Sequence, residues 1–173
     1  MTQTFEDRRH FYSDNLAGTH PAVLQAIADA NVGHSLAYGE DPLTAEAIAR
    51  VCQLFGGDGV EAHFVFNGTA ANVLCAAAVT APFQAVLCSE TSHIQWDECG
   101  AIERFVGCRV LALPSVGGKL TPDCLDNIAE GHAEPHQSKP RLLSITQVTE
   151  MGTLYTPEEV KALAAAAHDR GWL

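Results

Sequence analysis

Apolar positions recur along this chain with two alternating periods. Four short runs, residues 63–66 (HFVF), 85–88 (AVLC), 109–113 (RVLAL) and 142–146 (LLSIT), are apolar nearly throughout. Runs of that length, bounded by glycine, proline or polar residues, predict strands buried on both faces. Elsewhere the period lengthens. Val23, Leu24 and Ile27 share one helical face behind Pro21, a residue suited to a first turn. Ile48, Val51, Cys52 and Phe55 fall at i, i+3, i+4 and i+7, the stripe of an amphipathic helix that Gly56-Gly57 ends. A further helix is predicted from about Thr69 to Val79, directly after the first strand.

Punctuation supports the same division. Thr121-Pro122-Asp123 combines a capping threonine, a proline and an acidic first turn. Thr156-Pro157-Glu158-Glu159 adds a glutamate three residues after the threonine, the sign of a capping box. The helix it opens is expected to run to about Arg170, with Gly171 as a left-handed stop and Trp172-Leu173 as the opening of another strand. Repeated strand–helix units predict an α/β fold with a mainly parallel sheet and helices on both faces. No internal repeat, low-complexity tract or linker interrupts it.

Composition narrows the function classes. Hydrophobic residues make up 47% and charged residues 18% of the 173, a globular balance large enough to bury a core. The formal net charge of -11 opposes phosphate backbones and anionic lipid, so neither nucleic acid nor membrane is an expected partner. No apolar run reaches membrane-span length, and the polar N-terminus lacks the apolar core of a signal peptide; a cytoplasmic protein is expected. The six cysteines form no C-x-x-C pair and are expected as buried, reduced thiols. The eight histidines form no H-E-x-x-H cluster, and no metal is expected.

The strand-to-helix corner FNGTAAN (66–72) carries the first candidate chemistry. A helix N-terminus beyond the carboxyl end of a strand offers unpaired amides and partial positive charge to an anion. Gly68 permits close approach, Thr69 adds a hydroxyl, and the amides of Gly68, Thr69 and Ala70 would complete a cradle. Neither G-x-x-x-x-G-K-[ST] nor G-x-G-x-x-G is present, which favours a single phosphate monoester over a nucleoside triphosphate or dinucleotide. A capped helix holding no ligand is the plain alternative.

The segments SDNLAGTHP (13–21), AYGEDPLTAEA (37–47), FNGTAAN (66–72), CSETSHIQWDECGA (88–101), GKLTPD (118–123) and KPRLLSITQVTEMGTLYTPEE (139–159) resemble, in order and spacing, the low-specificity threonine aldolases. These are relatives of the β-eliminating lyases that use pyridoxal 5'-phosphate. The resemblance runs from about Phe11 to Leu173. It implies the large domain of an aspartate-aminotransferase-like (type I) fold, truncated here, with residues 1–40 as an arm plus first helix and 41–173 as an incomplete cofactor-binding domain. It places the cofactor's phosphate on Gly68 and Thr69, and His93 against the pyridine ring.

The same resemblance assigns further residues. His136 matches a histidine near the substrate's β-hydroxyl, where a base is needed, with His132 close by as an alternative. Glu98 matches an acidic residue near the ring, with Asp97 as its rival. Ser13 corresponds to a segment that approaches the substrate, and Tyr38 to a residue lent to a neighbouring subunit. The family's homo-oligomers, dimers assembled into tetramers, are implied with it.

Two groups that this chemistry requires have no counterpart in the sequence. One is a lysine that holds the cofactor covalently. The other is a carboxylate that pairs with the pyridine nitrogen; the family places it, in an Asp-Gly-Ala-Arg motif, just past the point corresponding to Leu173. Lys119, Lys139 and Lys161 are expected at the surface. Two readings follow: the N-terminal part of an aldehyde lyase that cleaves L-threonine or related β-hydroxy-α-amino acids to glycine and an aldehyde, or a non-catalytic remnant that binds phosphate or another subunit. In either, the 173-residue chain alone is expected to be inactive.

Overall fold

The computed structural model describes residues 16–131 and 135–173. The chain divides into two compact units, Met1–His63 and Phe64–Leu173. The first holds α1 (Pro21–Ala30) and α2 (Pro42–Leu54), each with proline in its first turn. Asp41 caps α2: its carboxylate accepts from the Thr44 amide at 2.9 Å and from the Thr44 hydroxyl at 2.6 Å. These bonds hold the Asp41 carboxyl below its usual pKa range.

The second unit carries, in chain order, α3 (Gly68–Val79), β1 (Gln84–Ser89), α4 (His93–Trp96), α5 (Ala101–Phe105), β2 (Arg109–Leu113), α6 (Asp123–Gly131), β3 (Lys139–Leu143) and α7 (Pro157–His168). The strands lie in the order β2-β1-β3, all parallel. β1 is central and therefore buried from Ala85 to Ser89. Its alternate residues serve two separate cores. Leu87 packs with Leu113, Leu125, Leu163 and Trp172 on the face that α6 and α7 cover. Val86 and Cys88 pack with Ala76, Ile94 and Ile102 on the face of α3, α4 and α5. Helices on both faces of a parallel sheet are therefore what the pattern of apolar runs foretold.

Three expectations are corrected. Residues 63–66 form no strand: Phe64 and Phe66 are exposed, and the segment pairs with none of the three strands. An extended apolar run becomes a strand only where a sheet edge receives its backbone groups. The last strand begins at Lys139 rather than at residue 142, and it carries Pro140 at a register irregularity, one of the few sheet positions that tolerate proline. Of the cysteines, all free, only Cys88 and Cys108 are buried, while Cys75 and Cys99 are exposed.

The C-terminal expectation fares better. Gly171 adopts φ +73 after α7, and the capping box of Thr156 and Glu159 is present in full. Leu173 then donates to Arg141 O at 2.8 Å and accepts from Leu143 N at 2.7 Å, so it is already seated alongside β3. Among the described residues no helix is long and apolar enough to cross a membrane.

Candidate functional site

Where β1 and β3 end at their carboxyl termini, the chain leaves the sheet on two sides of a cleft of about 490 Å³. One wall is the start of α3, with Gly68, Thr69 and Asn72. The second is α4 and its exit, with His93, Ile94 and Glu98. The third is the segment after β3, from Ser144 to Gln147, with Glu150 beyond it. Crevices at this end of a parallel sheet are where such folds place ligands, because the strands stop and loops diverge.

The corner of α3 is built by its cap. Asn67, in extended conformation, accepts from the Ala70 amide through its side chain at 2.9 Å, and its carbonyl accepts from Ala71 N at 3.1 Å. The amides of Gly68 and Thr69, the first two of the helix, have no intrahelical partner by geometry. Ala70 is thereby removed from the expected cradle, since its amide is engaged by the cap and it does not line the cleft. A Cβ added to Gly68 would meet nothing within 4 Å. The space that a bound anion needs is open.

His93 begins α4, four residues past the end of β1. Its Nδ1 lies 2.9 Å from Glu98 Oε1, and its side chain is 45% exposed, against 1% for that of Glu98. Glu98 is turned inward because Cys99 (φ +52) and Gly100 (φ +67) reverse the chain immediately after it to start α5. Asp97, the rival carboxylate, ends α4 on the exposed side. Asn72 Nδ2 donates to the same Glu98 oxygen at 2.6 Å, and the second oxygen, Oε2, is buried with no partner.

The hydrogen bond to Glu98 raises the His93 pKa above its ordinary value. Partial burial opposes the rise; the negative charges of Glu98, Glu150 and Asp97 add to it. A folded-state pKa above the unfolded one, about 6.5, contributes stability that is whole below that pH and is lost as pH climbs through the raised midpoint. Urea denaturation of the chain is therefore expected to show stability falling from about pH 6.5 upward. Glu98→Gln should flatten that slope; an unchanged slope in the variant would place its origin elsewhere.

The segment after β3 is held by backbone contacts. Ser144 N donates to Leu87 O at 2.8 Å, extending the parallel ladder. The Gln147 carboxamide donates to Tyr155 O at 2.8 Å and accepts from Tyr155 N at 2.9 Å, pinning the loop that carries Glu150. Asn72, Ser144, Thr146, Gln147 and Glu150 are not marked by any sequence motif taken alone. Asn72 sits one helical turn beyond Gly68 on the same face, and the others follow a strand's carboxyl end, so helix period and strand polarity are the signals that mark them.

Of the remaining candidates, His136 does not line this cleft. His136 is exposed and precedes β3, at the opposite end of a five-residue strand from the cleft. At about 3.3 Å per residue that is about 16 Å. Tyr38 belongs to the first unit, fully exposed and in a left-handed conformation at φ +64. Ser13 lies outside the described residues. Lys119 is paired with Glu159 at 2.6 Å, Lys139 opens β3 and Lys161 is exposed on α7; none lines the cleft. Among the described residues no group of three His, Cys, Asp or Glu could hold a metal ion.

Residues 10–173 match the family described as beta-eliminating lyase. The chain belongs to that family. The chain is 45% identical to a low specificity L-threonine aldolase of Pseudomonas aeruginosa over 164 residues, 94% of its own length and 47% of the relative's. It is 42% identical to a low specificity L-threonine aldolase of another Pseudomonas strain, covering 96% of itself and 48% of that protein. The chain thus spans about half the length of the curated relatives it matches. In three dimensions it resembles a Leishmania major threonine aldolase with a TM-score of 0.85 at 29% identity, covering 91% of this chain and 46% of that one. An archaeal alanine:glyoxylate aminotransferase shares the fold, with a TM-score of 0.63 at 22% identity, covering 88% of this chain and 39% of that one. The architecture is that of the type I pyridoxal-phosphate enzymes, and the expected fold class stands.

Proposed function

We propose that the cleft is the phosphate- and ring-binding half of a pyridoxal 5'-phosphate site, in a protein that cleaves L-threonine or related β-hydroxy-α-amino acids to glycine and an aldehyde. The observation that carries this reading is the convergence of three features in one crevice. These are the two unengaged amides of Gly68 and Thr69, the open space at Gly68, and the half-exposed His93 ring held by Glu98. A phosphate monoester suits the first two. A flat heteroaromatic ring suits the third.

When bound, the cofactor would supply an electron sink for the charge left on the amino acid's Cα. This chain's own residues bind and orient. The amides and the Thr69 hydroxyl would hold the phosphate, and the His93 ring would offer a flat surface to the pyridine. Glu98 fixes that ring's angle. The lysine that the chemistry requires is not among the residues that line the cleft. His136 keeps its proposed role as the base at the β-hydroxyl, and a homo-oligomer is expected. Ser13 and Tyr38 keep their proposed places on the substrate side, and a cytoplasmic location goes with the reading. The absence of a lysine from the cleft lining favours the second reading for the chain taken alone, a binding half-site without turnover.

Pyridoxine 5'-phosphate tests the cradle, because it carries the ring and the ester but no aldehyde to react with surface lysines. Two charge-assisted hydrogen bonds at about 1.5 kcal/mol each make it bind about 100-fold more tightly than pyridoxine. Calorimetry on the chain reads this directly. Equal affinities for ester and alcohol would sink the assignment.

A further inference from the structure

The side chain of Asn72 has a place in this site that neither the relatives' names nor the family match assigns. It projects from α3 one turn beyond Gly68, on the helix face that holds the proposed phosphate cradle, and it lines the cleft. Its Nδ2 and the Nδ1 of His93 meet at one atom, Oε1 of Glu98, at 2.6 and 2.9 Å. That carboxylate is 1% exposed, and its other oxygen has no partner. A buried charge is tolerated only when donors converge on it, and Glu98 has two. The reverse orientation of the Asn72 amide would set carbonyl oxygen against carboxylate oxygen, so the nitrogen is the group that points at Glu98.

We infer that Asn72 is a positioning residue: it anchors the Glu98 carboxylate so that His93 keeps its proton on Nδ1 and presents Nε2 and one ring face to the cleft. The anchor matters because Oε2 holds nothing. Without Asn72 the carboxylate can rotate about its last bond, and its grip on Nδ1 loosens. Because Asn72 and the cradle share one helix, any movement of the start of α3 is passed to the His93 ring. The arrangement ties the surface for the ring to the seat for the phosphate. Only the use of that ring depends on the proposed function; the hydrogen-bonded chain itself does not.

The test therefore needs no cofactor. In the chain carrying 15N-labelled histidine, NMR titration reads the His93 midpoint and which ring nitrogen bears the proton in the neutral form. The charged groups facing His93 are Glu98, Glu150 and Asp97, so only variants that leave all three intact isolate Asn72. Asn72→Leu, which keeps the bulk and removes the donor, should lower the midpoint by about 0.5 pH units or more and shift the proton toward Nε2. An unchanged midpoint and an unchanged tautomer would overturn the inference. If Asn72→Leu fails to fold, the unaltered protein decides the matter. Its Asn72 carboxamide protons should shift with pH in step with His93, and a pH-insensitive carboxamide would overturn the inference. Failure here leaves the phosphate cradle standing, while failure of pyridoxine 5'-phosphate to bind leaves this hydrogen-bonded chain standing.

Discussion

Gly68→Asp should abolish binding of phosphate esters to the cleft while leaving the fold intact or slightly firmer. Gly68 is the first residue of α3, which has no acidic residue in its first turn, and its φ is not left-handed. A carboxylate there complements the helix dipole, adding about 0.5 kcal/mol of stability. The same carboxylate would stand where the phosphate dianion is to sit. At about 4 Å and an effective dielectric of 20, each pair of like charges costs about 4 kcal/mol. If only a third of the repulsion by two charges survives solvent screening, affinity still falls about 100-fold. Thermal unfolding and pyridoxine 5'-phosphate titration of the same sample separate the two effects. A variant that binds normally would show that the phosphate sits elsewhere. A variant that unfolds would show that the cap geometry was misjudged.

The 173-residue chain, mixed with pyridoxal 5'-phosphate, should develop no visible absorbance from a specific covalent adduct and should release no aldehyde from L-threonine above the cofactor's own background. The reason is positional. Covalent attachment needs an amine within bonding reach of the cofactor's aldehyde, and the cleft offers none. Lys119 Nζ is occupied by Glu159 Oε1 and by Leu154 O at 3.1 Å. Lys139 opens β3 at the end of the sheet away from the cleft, and Lys161 faces solvent from α7. Loss of the attaching lysine removes the step on which turnover depends, so the expected deficit is the whole of the activity. Turnover at ordinary enzymatic rates would mean that one of these three lysines reaches the cofactor after all.

The sheet was legible where one pattern could mean only one thing. Residues 85–88 and 109–113 are short, apolar and flanked by turns, and both became paired parallel strands, the first buried throughout at the sheet's centre and the second, at its edge, buried only at Leu113. Residues 63–66 share that composition but find no partner edge, and composition carries no information about edges. Pro140 concealed the true start of β3, because a proline inside a strand is acceptable only at an irregularity that no local pattern announces. The corner that opens α3 was readable from Asn67-Gly68-Thr69, although the cap's demand on the Ala70 amide emerged only from the geometry.

Glu98 and Asp97 were indistinguishable as neighbours in sequence. The left-handed pair Cys99 and Gly100 follows Glu98, which is buried against His93, while Asp97 stays exposed.

The central claim is that the amides of Gly68 and Thr69 hold a phosphate ester whose ring lies on His93. Mapping backbone amide and histidine shifts in the chain as pyridoxine 5'-phosphate is added tests this most directly. The largest changes should fall at residues 68 and 69 and on the His93 ring, and inorganic phosphate should reproduce only the first two. Saturable binding that leaves those amides unmoved would contradict the account.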